Sequence, residues 1–320
     1  MDNLLSEIEK IRGKWKNNKR NEKTYVPGVH DKIKFNINYY LSTVATHFKF
    51  KNALILDSDD LGTSLVLKAS GFDVKNIHIP NYHNKKTEYT VMKKRMPKLS
   101  VFPISVDDYV DAYLESKNTS SFRDQLKEKY DDTKFEKKPK VLRMPERPKS
   151  FDFVYLDYCG DYNTNSKTVK KIFKKKFFAK NFVFAITGSL MYVSNEDLDD
   201  KLRSIKGKIQ RLNSNLKLDQ IFVYNRRDQE GIATQTIQHR NVKQGQMYKE
   251  TKRSLKMFFM SFICSSENYK EYNNKFEKCG KTFCKLAISN KACLFHQKEN
   301  SDIMKPFCNN TIKDFYLLYL

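Results

Sequence analysis

Three stretches of the chain concentrate side chains that could do chemistry: Asp57-Ser58-Asp59-Asp60-Leu61-Gly62-Thr63, Asp107-Asp108, and Asp157-Tyr158-Cys159-Gly160-Asp161-Tyr162. Each follows a run of apolar β-formers, the pattern of a strand covered on both faces in a parallel sheet. The carboxyl edge of such a sheet is where open α/β folds bind ligands. Loops that cradle phosphate put glycine-rich backbone at a helix N-terminus, yet the first loop has neither G-x-G-x-x-G nor G-x-x-x-x-G-K-[ST]. It presents Asp57, Asp59 and Asp60 instead. Carboxylates repel a pyrophosphate and suit a ligand carrying positive charge.

The elements that must position these groups can be read in order. Residues 1–30 form a charged N-terminal segment with little apolar surface, expected to be mobile or to lie on a partner. Asp31 to Phe48 has helical spacing through Ile37, Leu41 and Val44. Strands are predicted at 53–56, 76–81, 99–105, 150–157, 181–188, 220–224 and 256–263. Helices are predicted after Gly62, after Asp107, over 163–179 and over 195–213. Residues 117–149 read as a polar surface excursion, and the last two strands as joined by a long polar connection. The fold class is α/β, a Rossmann-like seven-stranded, mostly parallel sheet with an antiparallel last strand and helices on both faces. It occupies residues 31–263, and residues 264–320 form a cysteine-containing C-terminal extension.

Charge and cysteines bound the partners. The 320 residues carry 60 Lys and Arg against 37 Asp and Glu, a net charge of +23, which favours a polyanion such as RNA or DNA. Of the basic residues 48 are lysine, so biased codon usage is the competing explanation. Lys174, Lys175 and Lys176 are expected on the basic face of the 163–179 helix as substrate contacts. No apolar run is long enough to cross a bilayer, and the expected location is intracellular and reducing, cytoplasmic or nuclear. Cys279, Cys284, Cys293 and His296 could hold zinc tetrahedrally, with packed free cysteines as the alternative. Cys159 could attack a pyrimidine covalently, but the neighbouring Asp157 and Asp161 would suppress its thiolate.

S-adenosylmethionine, with a sulfonium and an ammonium, meets the electrostatic demand of the acidic strand ends; NAD, FAD and ATP do not. The strand succession, the acidic first loop and the aspartate-aromatic motif ending the fourth strand resemble the class I, Rossmann-like S-adenosylmethionine-dependent methyltransferases. That resemblance implies strand order 3-2-1-4-5-7-6. It also implies cofactor contacts from Asp57, Ser58, Asp59, Gly62, Asn81 and Asp107. Asp157-Tyr158-Cys159-Gly160 is similar to motifs of enzymes that methylate nucleic-acid amines. On that likeness Asp157 orients the amine as the catalytic carboxylate, with Tyr158 or Tyr162 stacking on the base.

The sequence departs from the family in lacking G-x-G in the first loop and an acid at the end of strand two, where Pro80-Asn81 stands. The lysine-aspartate-lysine-glutamate set of ribose methylation is hard to place, because Ile186-Thr187-Gly188 supplies no lysine. The expected function is therefore methyl transfer to nucleic acid, RNA in preference to DNA. The alternative is a non-catalytic nucleic-acid-binding protein built on a degenerate form of this fold.

Overall fold

Strand β4 (Phe151–Asp161) stands in the middle of the sheet, and the reason is visible in its composition. Phe151 and the run Phe153–Leu156 are fully buried on both faces. Side chains alternate across a strand, so Phe153 and Tyr155 enter one core while Val154 and Leu156 enter the other. The computed structural model describes residues 6–8, 10–11, 29–58, 61–82, 86–131, 144–174, 176–190, 193–194, 197–225, 227–228, 231–232, 234–239, 249–265 and 316–318.

Around β4 the sheet is ordered β3-β2-β1-β4-β5-β11-β6-β12. Its other strands are β1 (Ala53–Ile55), β2 (Ile77–Pro80), β3 (Ser100–Phe102), β5 (Phe178–Ser189), β6 (Lys217–Asn225), β11 (Lys256–Cys264) and β12 (Tyr316–Leu318). β11 runs antiparallel to both β5 and β6, and the remaining neighbours are parallel. With β11 in seventh place, this is the expected order, extended at the edge by β12, an eighth strand that falls within the expected C-terminal extension.

Helices α1 (Val29–His47), α2 (Gly62–Ala69) and α3 (Lys86–Arg95) contribute to the first core. The second is built by α4 (Val106–Glu115), α5 (Thr119–Asp131), α6 (Tyr162–Ile172) and α7 (Leu198–Gln210). Two small ribbons, β7–β8 (Arg227–Asp228 with Gly231–Ile232) and β9–β10 (Thr234–His239 with Lys249–Ser254), fill the polar connection between β6 and β11.

Several boundaries need correction. The predicted excursion over 117–149 contains α5, whose Phe122 and Leu126 are buried, so part of it is core. Arg147 anchors the return by lying 4.0 Å over the Tyr113 ring and donating to the Ser116 hydroxyl. In the N-terminal segment Ile8 and Ile11 are buried in the first core rather than mobile. Helix α6 ends at Ile172, seven residues short of the predicted end, because Phe173, Phe177 and Phe178 turn into an aromatic cluster and Lys176 adopts a φ of 77°. Lys174 and Lys176 therefore sit exposed in a turn, not on a helix face. Lys175, Asp59, Cys279, Cys284, Cys293 and His296 lie outside the described residues.

One buried titratable group follows from the two-faced sheet. His78 on β2 is 3% exposed, its Nδ1 meets the Tyr109 hydroxyl at 2.6 Å, and burial lowers its pKa to about 3. A histidine held neutral in the fold but free to protonate when unfolded lowers stability as pH falls below its unfolded value, until the folded group also protonates near 3. Urea unfolding should therefore lose about 2 kcal/mol between neutral pH and about pH 5 from this residue. In His78→Phe that part of the acid sensitivity should disappear; an unchanged pH profile would refute the assignment.

Candidate active site

The acids at the carboxyl edge are all placed by strand ends, and each described one has a partner. Asp57, two residues past β1, folds back onto the start of α2. It accepts from the Ser64 amide and hydroxyl, each at 2.8 Å, and from the Ser58 amide at 3.1 Å. A carboxylate in that position satisfies the helix N-terminus and fills the place where a phosphate would bind. Leu61 precedes Gly62 in the left-handed region (φ 55°), a conformation for which glycine is the usual residue. Complete burial of its side chain in the first core compensates. The loop thus makes a left-handed turn at a residue other than glycine. Asn81 ties the loop to β2 by donating to the Asp57 carbonyl at 2.8 Å.

Asp107, in the first turn of α4, pairs with Lys171 at 3.2 Å, and Lys171 also reaches Asp111 at 2.8 Å. Those hydrogen bonds, Asp111 first, hold the Lys171 ammonium above its ordinary pKa. Asp161 caps α6 and faces Lys201 at 3.6 Å. The expected acidic pocket is therefore compensated. Asp57 excludes phosphate from the α2 N-terminus, and the paired acids give no general attraction for a cation.

Asp157 is the central case. Lys34 of α1 donates to both of its carboxylate oxygens at 2.5 Å, and the two side chains are 24% and 28% exposed. Burial disfavours the Lys34 charge, but Asp157, together with Tyr155 and Tyr224, outweighs it and the ammonium pKa stands well above the ordinary value. Lys34 is thus a fixed positive charge and hydrogen-bond donor, not a base at neutral pH. Lys34 is not among the residues expected from the sequence, although a signal existed: it occupies the helical stripe continued by Ile37, Leu41 and Val44, where a lysine needs a buried partner.

Strand alternation separates the other candidates. Tyr158 points to the opposite face from Asp157, where its ring packs against the second core and burial raises the phenol pKa. Tyr162, at the start of α6, is only 2% exposed in that same core. On the Asp157 face, Tyr155 shares a 3.0 Å hydrogen bond with Thr187, and Ser189 at the end of β5 has a buried hydroxyl without a hydrogen-bond partner among the described residues. Lys174 and Lys176 stand beside the start of β5, which pairs with Phe151 at the opposite edge of the sheet. That is about 20 Å from Asp157 at strand rise.

The motif that follows Asp157 is a bulge. Asp157 opposes Thr187 and Asp161 opposes Ser189, so Tyr158, Cys159 and Gly160 stand against Gly188 alone. The Cys159 side chain lies outside the described residues.

Neither a family model nor a curated protein sequence matches the chain. Solved structures do. An O-methyltransferase from Bacillus cereus in complex with SAH shares 10% identity at a TM-score of 0.38, covering 82% of this chain and 91% of that one. A putative RNA methyltransferase from Pyrococcus horikoshii shares 10% at 0.36, covering 79% and 97%. An N-methyltransferase from Bradyrhizobium japonicum shares 7% at 0.35, covering 75% and 100%. The assignment of the Rossmann-like fold rests on the strand order and the antiparallel β11. No group of three or more metal-ligating side chains occurs among the described residues, and no described helix is long and apolar enough to cross a membrane.

Gly188 holds the bulge in place. A Cβ there would lie 2.7 and 2.9 Å from the Phe258 ring and 3.2 Å from the Gly160 carbonyl. Gly188→Ala should lower the stability measured by urea unfolding by about 1–3 kcal/mol. A variant as stable as the parent would show that the packing of Phe258 and the Gly160 carbonyl against Gly188 is looser than described.

Proposed function

We propose that the protein is an S-adenosylmethionine-dependent methyltransferase acting on nucleic acid, RNA in preference to DNA. The observation that carries the reading is the Lys34–Asp157 pair at the carboxyl end of β4, in a sheet of class I order. Ser58, Gly62 and Asn81 at the ends of β1 and β2, with Asp107 beyond β3, would hold the cofactor. The residues fit it in one definite respect: Asp57 closes the α2 N-terminus to phosphate, which the cofactor lacks. When bound, the cofactor supplies an electrophilic methyl group.

The chain's own part is to orient and polarise the acceptor. Asp157 accepts a hydrogen bond from the incoming nucleophile, and Lys34 fixes the carboxylate from below. A base amine gains positive charge as it is methylated, which the Lys34 ammonium opposes. A hydroxyl passes its proton to the Asp157 carboxylate, and the negative charge that develops on its oxygen is one the ammonium stabilises. The pair therefore favours a hydroxyl of the polynucleotide over the exocyclic amine that the sequence motif implies, and Tyr158 serves as packing. A non-catalytic nucleic-acid-binding protein is the second reading. It is favoured by the compensation of Asp57, Asp107, Asp157 and Asp161 at the edge.

Calorimetric titration with S-adenosylmethionine and S-adenosylhomocysteine separates the two. Micromolar binding is expected, and folded, cofactor-free protein that binds neither would make the sheet a scaffold. Asp157→Asn and Lys34→Met should each lower methyl transfer to RNA by about 100-fold with cofactor affinity retained. Transfer at the parental rate in either variant would remove that residue from the reaction.

A further inference from the structure

The ribbon β9–β10 is the feature that the fold does not explain. It forms a sheet of its own, hydrogen-bonded to no other described strand, with six residue pairs from Thr234–Ser254 to His239–Lys249. An isolated two-stranded ribbon is marginal in water and gains its stability from a surface laid against it. Ile237 is the only apolar residue in its two strands, so the surface it fits is not a hydrophobic one.

Its position is set by the sheet. β6 ends at Asn225 opposite Lys256, where β11 begins, and Met257 is level with Ser189 at the end of β5. The segment from 226 to 255 therefore leaves and re-enters at the carboxyl edge, the edge that carries Asp157. Its root, β7, lies against α1, the helix that supplies Lys34. That segment contains seven Lys and Arg against three Asp and Glu. In the register Lys249 pairs with His239, Lys252 with Thr236 and Arg253 with Gln235.

We infer that β9–β10 is a polynucleotide-gripping arm, which binds the phosphodiester backbone of the strand whose reacting nucleotide lies over Lys34 and Asp157. A two-stranded ribbon is narrow enough to enter a nucleic-acid groove or lie along a single strand, and Lys and Arg at its register positions neutralise phosphates. The inference deepens the nucleic-acid part of the proposed function, but its binding test does not depend on methyl transfer. It also assigns the polyanion contact to the edge that holds the candidate site, in place of the Lys174–Lys176 turn at the far edge.

The test is fluorescence anisotropy with a single-stranded RNA oligomer and the DNA of the same sequence, in a salt series, on the full chain and on Lys249→Ala/Lys252→Ala/Arg253→Ala. The triple variant should bind roughly 10-fold more weakly and its salt slope should fall by about 2. Tighter binding of RNA or of DNA identifies the source of the backbone. Parental affinity and slope in the variant, or no oligomer binding by the parent, would overturn the inference. Amide hydrogen exchange supplies a second measurement: the oligomer should protect β9–β10, and unchanged exchange there would also overturn it. Oligomer binding lost in the variant, in a protein that binds no S-adenosylmethionine, would support the arm while sinking the methyl-transfer reading.

Discussion

Burial of β4 on both faces is the constraint on which the rest depends. A strand covered by α1 to α3 on one side and α4 to α7 on the other must send successive side chains into different cores. The same alternation continues past the last apolar residue. It delivers Asp157 to the face where α1 can meet it and Tyr158 to the face already filled by α4 and α6. Two adjacent residues of one motif are thereby given unrelated surroundings, one in an ion pair at the carboxyl edge and one packed in the second core.

Compensation governs the electrostatics. The chain is strongly basic, yet Asp57, Asp107, Asp157 and Asp161 at the carboxyl edge are engaged by an ammonium or by backbone amides, and Asp108 by the Ser105 hydroxyl. Asp57 neutralises a helix terminus, Asp107 meets Lys171, Asp157 meets Lys34 and Asp161 meets Lys201. Carboxylates at strand ends thus do not add up to a negative pocket. They set the positions of lysines, which are then available, with fixed geometry, to whatever approaches the edge.

The sheet was largely legible because its signals are local: apolar runs, acids or glycine at their ends, and a polar gap before the last strand. What was not legible depended on partners distant in sequence. No local pattern announces that Lys34 belongs to Asp157, that Phe122 and Leu126 turn a polar stretch into core, or that Tyr316–Leu318 pairs with β6. Lys174–Lys176 misled for a different reason. The apolar spacing from Val169 to Phe178 mixes a helix face with an aromatic turn, and only the packing of Phe173, Phe177 and Phe178 decides where the helix stops. Leu61 shows the converse: a glycine-like conformation held by tertiary burial, which composition hides.

Lys34 and Asp157 are separated by 123 positions. The fold nevertheless places α1 before β1 and closes it over β4, so the pair spans the whole first half of the sheet. Neither residue has its partner until β1 and β4 have zipped together with α1 laid across them, a contact of high sequence separation that is slow to form. A fragment ending before Asp157 would present Lys34 without its counter-charge, on the apolar side of a helix. The ion pair is thereby made a property of the completed sheet, and any break of the chain between the two residues divides the pair as well as the fold.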